Sequence, residues 1–432
     1  MSAPTIVFFP EGAFGPTNNC VGIADVLRRR GARVVFVVEE SFAGTLEARG
    51  FEEALMRLKP KPEVPEEPGQ FWKDFIRDTA PQFRKTTLEQ LETLIQPIFA
   101  ELVDGSTYVN ERLKEIFDEL RPDVIVEDNV VAFPAVVTAG VPWVRIMSCN
   151  PLEMKDPNLP PTFSGLPLAD PSDWEAFRSR FLELHADLHA SFDDFCRSQG
   201  CPPLAPGEFM YESPYLNLYI YPAEADYPRS RALAPTWHRL DSCVRSTEGT
   251  FELPEHLRGA GKLIYLSLGS LGSADTDLMA RLIDLFGRTR HRVIVSMGPQ
   301  QGQLSLPDNM YGEEFLPQPA LLPLVDLVVT HGGNNTVTEC FHNGKPMIAL
   351  PLFWDQHDNA QRLDETGFGV RLPSYAFDDG DFYRAVDRLL GDEALHARLR
   401  GIANRLQANP GTVRAADLIE RLVRTRQPVQ AG

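Results

Sequence analysis

Leu327-Val328-Val329-Thr330-His331-Gly332-Gly333-Asn334-Asn335-Thr336 is the stretch from which this chain is best read. Its first four residues are β-formers, its glycines break the strand, and a helical pattern begins behind them. In an open α/β sheet, ligands bind beyond the carboxyl ends of the strands. Two glycines let a ligand approach the backbone, and the helix N-terminus offers unpaired N–H groups with a partial positive charge. Such a loop is a cradle for a diphosphate, to which His331 and Thr336 add side-chain donors. Glu339 lies one turn into the helix, placed to accept hydrogen bonds from ribose hydroxyls. A plain Gly-Asn turn is the simpler reading, and the residues on either side decide between the two.

Downstream, Gly344-Lys345-Pro346 leads into the apolar run Met347–Leu350 and then Pro351-Leu352-Phe353-Trp354-Asp355-Gln356. A carboxylate beside an amide at a strand end reads vicinal sugar hydroxyls, which both donate and accept. Upstream, Phe315-Leu316-Pro317-Gln318 offers a flat ring to stack on a base. The same strand-helix alternation extends from Lys262–Leu268 to the helical pattern Ala415–Val423.

The first half repeats the pattern. Thr5–Phe9 and Arg33–Val38 flank a helix that stops at Arg28-Arg29-Arg30-Gly31, a βαβ opening that implies a parallel sheet. Val124–Val126 is a buried strand ending at Glu127-Asp128. The expected division is an N-terminal domain over 1–235, a linker over 236–260, a second domain over 261–410, and a final helix over 411–432 crossing back to the first domain. A chain of 432 residues suits two domains. The formal net charge of −18 argues against nucleic acid and anionic membrane as partners. Six scattered cysteines without a metal-like spacing, no signal-peptide pattern and no run long enough to span a bilayer point to a cytoplasmic protein.

The segments Phe315–Gln318, Thr330–Thr336, Glu339, Gly344–Pro346, Pro351–Gln356, Asn359–Arg362 and Gly367–Gly369 occur in the order of the donor-binding signature of the UDP-glycosyltransferase family, which this region resembles. That family includes plant, animal and bacterial macrolide-type enzymes. A fainter likeness covers most of the chain, including Leu266-Ser267-Leu268-Gly269-Ser270, similar to the family's phosphate loop. The resemblance implies an α/β GT-B fold, two facing Rossmann-like domains with a cleft between them. It implies that Phe315 stacks on the base and that Gln318 and Glu339 bind the base edge and ribose. Ser270, His331, Gly333, Asn335 and Thr336 would bind the diphosphate, and Asp355 and Gln356 the sugar. The implied reaction is inverting transfer of a hexose, glucose by the Asp-Gln pair, from a UDP-sugar to a small hydrophobic acceptor such as a phenol or polyketide, with neither metal nor cofactor. Asn359 and Arg362 equally suit a bracing role.

One element of the pattern is missing. The family's catalytic histidine follows the first strand in a Gly-His loop, and here Pro16 stands in its place. The first histidine of the chain is His185. Asp128 matches the family's partner aspartate, and with Glu127 it is the candidate base. Three readings stay open: direct action by Asp128; an acidic acceptor, or transfer to carbon; or a nucleotide-sugar-binding protein without efficient transfer. An epimerase is disfavoured because the first domain has no histidine before His185. Phe71, Trp72, Phe75 and Trp174 are candidates for an apolar acceptor pocket. His185 and His189 have a metal-compatible spacing but no third ligand, and read as surface or pocket residues.

Overall fold

A computed structural model describes residues 3–61, 77–245 and 249–431. Thr5–Pro10 (β1), Arg33–Glu39 (β2), Glu52–Met56 (β3), Val124–Asp128 (β4), Trp143–Met147 (β5), Leu216–Tyr219 (β6) and Trp237–Arg239 (β7) form one sheet, ordered β3-β2-β1-β4-β5-β6-β7. All its ladders are parallel. Leu263–Ser267 (β8), Arg292–Ser296 (β9), Met310–Glu313 (β10), Leu327–Thr330 (β11), Met347–Ala349 (β12) and Gly369–Arg371 (β13) form the other, ordered β10-β9-β8-β11-β12-β13. It too is parallel throughout.

The central strands are buried along nearly their whole length. Parallel strands covered by helices on both faces need this continuous apolar character. The polar exceptions, Glu127, Asp128 and Thr330, fall at strand ends. In both sheets the order of strands reverses next to the first strand, between β1 and β4 and between β8 and β11. A crevice opens at that switch point, beyond the carboxyl ends of the strands.

Trp237–Arg239, inside the interval expected to be linker, is the seventh strand of the first sheet. Trp237 and His238 are buried, and β-branched periodicity is too short over three residues to have marked them. The last helix, Gly411–Thr425, belongs to the core of the first sheet. Its Ala415, Ala416, Ile419 and Leu422 are fully buried with Ile23, Ala24 and Leu27 of the helix Phe14–Arg29. Each buried Ile or Leu among them contributes about 1.5–3 kcal/mol by leaving water. Among the described residues no helix is long and apolar enough to cross a membrane.

The two sheets meet through their carboxyl ends. Asn334 Nδ2 donates to the carbonyls of Ser148 (2.7 Å) and Ile220 (3.0 Å). The Asn150 amide donates to Asp355 at 2.8 Å. Asp358 accepts from the amides of Phe163 and Gly165. Arg362 donates to the carbonyls of Ala225 and Asp226 and covers the ring of Tyr227, so it braces the domains.

Candidate active site

The wall contributed by the second domain is centred on His331. Thr330 ends β11 opposite Ser267 of β8, so the two strand-to-helix loops of the switch point lie side by side. A Cβ on Gly269 would sit 2.7 Å from His331 Cε1, and one on Gly333 would sit 2.5 Å from Nε2. Only glycine at both positions leaves room for the imidazole, and Gly269 also has φ +72°. Burial pulls the ring down to about 4, so near neutral pH it is uncharged and offers one N–H. Beyond Gly333 the nine-residue helix Asn334–His342 turns its N-terminus to the same crevice. Ser270 lies in the short helix Gly269–Gly272 after β8, and its side chain falls outside the described residues.

Four of the expected donor residues come together next to it. Gln318 Nε2 donates to Glu339 at 2.6 Å and to Thr336 Oγ1 at 3.4 Å, and Asn335 Nδ2 donates to Glu339 at 3.3 Å. The segment between the sheets adds a cation the sequence did not single out: Arg245 pairs with Glu339 at 2.9 Å. Phe315 stands at the rim, 61% exposed.

Asp355 and Gln356 follow β12, one strand further along. Asp355 Oδ2 takes the Asn150 amide and Asn359 Nδ2, while Asn359 also donates to the Gly332 carbonyl and accepts from Asn150 Nδ2. Burial raises the Asp355 carboxyl to about 6. Gln356 turns its oxygen back onto the amides of Leu352 and Phe353, which leaves its NH₂ group as the end available to a ligand. Between them and the first domain, Trp354 at φ 58° inserts its ring against Phe163 (4.5 Å between centroids) and Phe99 (5.5 Å).

The wall contributed by the first domain carries carboxylates. Asp128, the last residue of β4, is buried; Ser148 donates to Oδ1 at 3.0 Å, and among the described residues Oδ2 has no hydrogen-bond partner. Burial above all, with the neighbouring charge of Glu11, raises it to about 7. Glu11, which no sequence motif marks, directly follows β1 and donates its backbone N–H to the Asp128 carbonyl at 2.8 Å. Burial raises its carboxyl to about 7. Glu153, in the turn after β5, is buried with Oε1 unpaired and raised to about 8, chiefly by burial and then by Asp355 and Glu11.

Glu127 does not join them. Successive strand side chains point to opposite faces, so Glu127 meets Arg145, its register partner on β5, at 3.0 Å, both essentially inaccessible. It is a buried ion pair within the sheet rather than a partner of Asp128 in the crevice. Pro16 occupies the first turn of the helix Phe14–Arg29.

Phe71, Trp72 and Phe75 lie outside the described residues. Trp174 is buried with its Nε1–H on the Pro167 carbonyl. A small cavity of the first domain, about 20 Å³, is lined instead by Phe99, Phe163, Phe181, Phe209, Glu153 and Lys155, among others. His185 is buried in this aromatic group, stacked on Phe181 with Nδ1 on its carbonyl. Among the described residues no group of three or more His, Cys, Asp or Glu is arranged to hold a metal.

Residues 280–422 match the erythromycin biosynthesis protein CIII-like, C-terminal domain family. The whole chain is similar to demethyllactenocin mycarosyltransferase of Streptomyces fradiae, 25% identical over 97% of this chain and 86% of the relative. It is also similar to oleandomycin glycosyltransferase of Streptomyces antibioticus, 26% identical over 96% of this chain and 90% of the relative. Among solved structures, the glycotransferase of kitacinnamycin superposes with a TM-score of 0.70 at 22% identity, over 98% of this chain and 99% of that one. The glycosyltransferase VinC in complex with DTDP superposes at 0.63 and 18% identity, over 97% and 99%.

Proposed function

We propose that this chain, a GT-B glycosyltransferase of the natural-product type that uses a nucleotide-sugar donor, moves a hexose from UDP to a small hydrophobic acceptor with inversion at the anomeric carbon. Glucose is the proposed sugar, from the Asp355-Gln356 pair. The observation that carries the donor half is His331, wedged between Gly269 and Gly333 at the switch point of the second sheet. A neutral imidazole and the N-terminal amides of Asn334–His342 form a fixed set of donors, aimed at charge that grows on the departing diphosphate. Those donors are what we expect to stabilise the leaving group without a metal. Phe315 would cover the base, Gln318 and Glu339 the base edge and ribose, and Asn335, Thr336 and Ser270 the phosphates.

Across the crevice, Asp128 supplies proton chemistry in place of the missing histidine. A carboxylate at its ordinary value is a weak base for an alcohol, and one raised to about 7 is better matched to neutral pH. The rings of Phe99, Phe163, Phe209 and Trp354 would receive an apolar acceptor. Thymidine-diphosphate sugars are the competing donors, because a neighbour of the same fold is recorded with DTDP.

A matrix of UDP- and TDP-hexoses against phenol, alcohol and macrolactone acceptors tests this. Transfer from a UDP-hexose with inverted anomeric configuration by NMR is expected. Retention of configuration, or transfer from TDP-sugars alone, would overturn the corresponding part of the reading.

A further inference from the structure

The switch point of the first sheet brings together the carboxyl ends of β1 and β4, and the turn that follows β5 reaches the same end. The residue following β1 is Glu11. Its backbone N–H donates to the Asp128 carbonyl at 2.8 Å, closing the Pro10–Asp128 rung, so its backbone lies beside the end of β4. From Glu11 to Asn19, the connection in which the histidine is missing, Glu11 is the sole titratable side chain. It is half-buried, and among the described residues nothing hydrogen-bonds its carboxylate. Asp128 is 4% exposed, and among the described residues its Oδ2 has no hydrogen-bond partner. An unpaired buried carboxylate oxygen is costly to a fold and is retained where a ligand or proton completes it.

The same place is reached from the donor side. Cys149, two residues beyond β5, and Glu153 are both close enough to feel the charges of Glu11 and of Asp355, the residue assigned to the sugar. The charge of Glu11 thus reaches Asp128, Cys149 and Glu153, and that of Asp355 reaches Cys149 and Glu153 from the other sheet. Arg145, the cation whose charge acts on Asp128, is held by Glu127.

We infer that Glu11 is the catalytic base of the transfer, taking the acceptor's proton directly, with Asp128 as its positioning and proton-sharing partner. The inference rests on the transfer reading above and names the group that reading left to Asp128. In the step, the acceptor O–H bond breaks and its proton goes to a Glu11 carboxylate oxygen. The acceptor oxygen forms the bond to the anomeric carbon while the bond from that carbon to the phosphate oxygen breaks. The electron pair of the broken bond leaves with the nucleoside diphosphate, and Glu11 later returns its proton to water. The carboxylate thereby replaces the histidine of a histidine–aspartate pair from a position five residues earlier in the chain.

The test compares Glu11→Gln and Asp128→Asn with the unaltered enzyme, using a UDP-hexose and two acceptors, an alcohol and a nitrophenol that is ionised at the assay pH. Glu11→Gln is expected to lower kcat on the alcohol by about 10²–10⁴-fold, keep the donor Kd within about twofold, and keep most of the turnover on the phenolate, which needs no base. A merely structural role would depress both acceptors together, and that result would overturn the inference. So would an alcohol kcat within a few-fold of the unaltered enzyme with an acid limb displaced to lower pH, the signature of Asp128 as sole base released from a neighbouring charge. Absence of transfer by the unaltered enzyme would overturn the transfer reading along with it, whereas loss confined to the variant's reaction with alcohol supports Glu11.

Discussion

At the carboxyl end of β11 the side chains around His331 are tied to one another, whereas at the carboxyl end of β4 the carboxylates are left open. Gln318, Asn335, Thr336, Glu339 and Arg245 form one connected set, and Asp355 is fixed by Asn150 and Asn359. Among the described residues Asp128 Oδ2 and Glu153 Oε1 have no hydrogen-bond partner. A binding wall profits from donors locked in advance, because ordering them later would cost affinity. A wall that moves a proton needs a group whose charged and neutral forms are close in energy at working pH. Partial burial without a counter-ion does that to a carboxylate. The same architecture, a strand order reversing in a parallel sheet, thus serves two purposes according to which side chains it places at the switch point.

Variants that separate the walls make the contrast measurable. The largest effect is expected at Glu127, which the contrast assigns to neither. Glu127→Gln leaves Arg145 buried without its counter-charge and should cost about 3–5 kcal/mol of stability by denaturant titration. Turnover per folded molecule should stay unchanged, and a specific loss of kcat would bring Glu127 back into the crevice. Asp128→Asn should lower kcat by about 10²–10³-fold with donor affinity intact by calorimetry. A donor Kd that rises along with the loss of kcat would erase the division between the walls.

Gly333→Ala should push the imidazole out of its slot and weaken nucleotide-sugar binding by about tenfold, about 1.4 kcal/mol. Equal affinity would mean that His331 needs no such wedge. The smallest effect is on stability against pH. Glu11, Asp128, Glu153 and Asp358 are raised to about 7, 7, 8 and 8. The folded state therefore holds more protons than the unfolded chain between about pH 4 and 8. Their contribution is present at low pH and is lost as pH rises through those values. His331 and His357, lowered to about 4 and 3, act oppositely. Their contribution is full above about pH 6.5 and is lost below it. With four raised carboxyls against two lowered imidazoles, the thermal midpoint should fall as pH rises above about 5, by on the order of 5 °C between about pH 6.5 and 8.5. The fall should be shallower in Glu11→Gln. A midpoint that climbs towards pH 8.5 would contradict the raised carboxyls.

The donor wall was legible in the sequence because its chemistry is local. Strand, glycine pair and helix start are consecutive, and Glu339 and Thr336 share one helix face with the loop. The strands flanking both switch points could likewise be read from short apolar runs. The reaction wall was legible only in part. Asp128 ends a recognisable strand, but Glu11 is one acidic residue in a Pro-Glu-Gly loop, and its meaning depends on a ladder partner 117 positions away. The error at Glu127 has a physical source: adjacent carboxylates at a strand end look alike in sequence, and strand alternation sends them to opposite faces. Arg245, Asn334 and Trp354 act across the two domains, and no periodicity within one segment reports such a contact. The strands Trp237–Arg239 and Gly369–Arg371 are too short for an alternating pattern to declare itself.

Calorimetric titration of a UDP-hexose into the unaltered chain and into His331→Ala reads the donor wall without any acceptor or base. If His331 and its glycine slot hold the diphosphate, the substitution weakens binding by about 100-fold or more while the thermal midpoint without ligand stays put. Donor affinity unchanged in His331→Ala would contradict it.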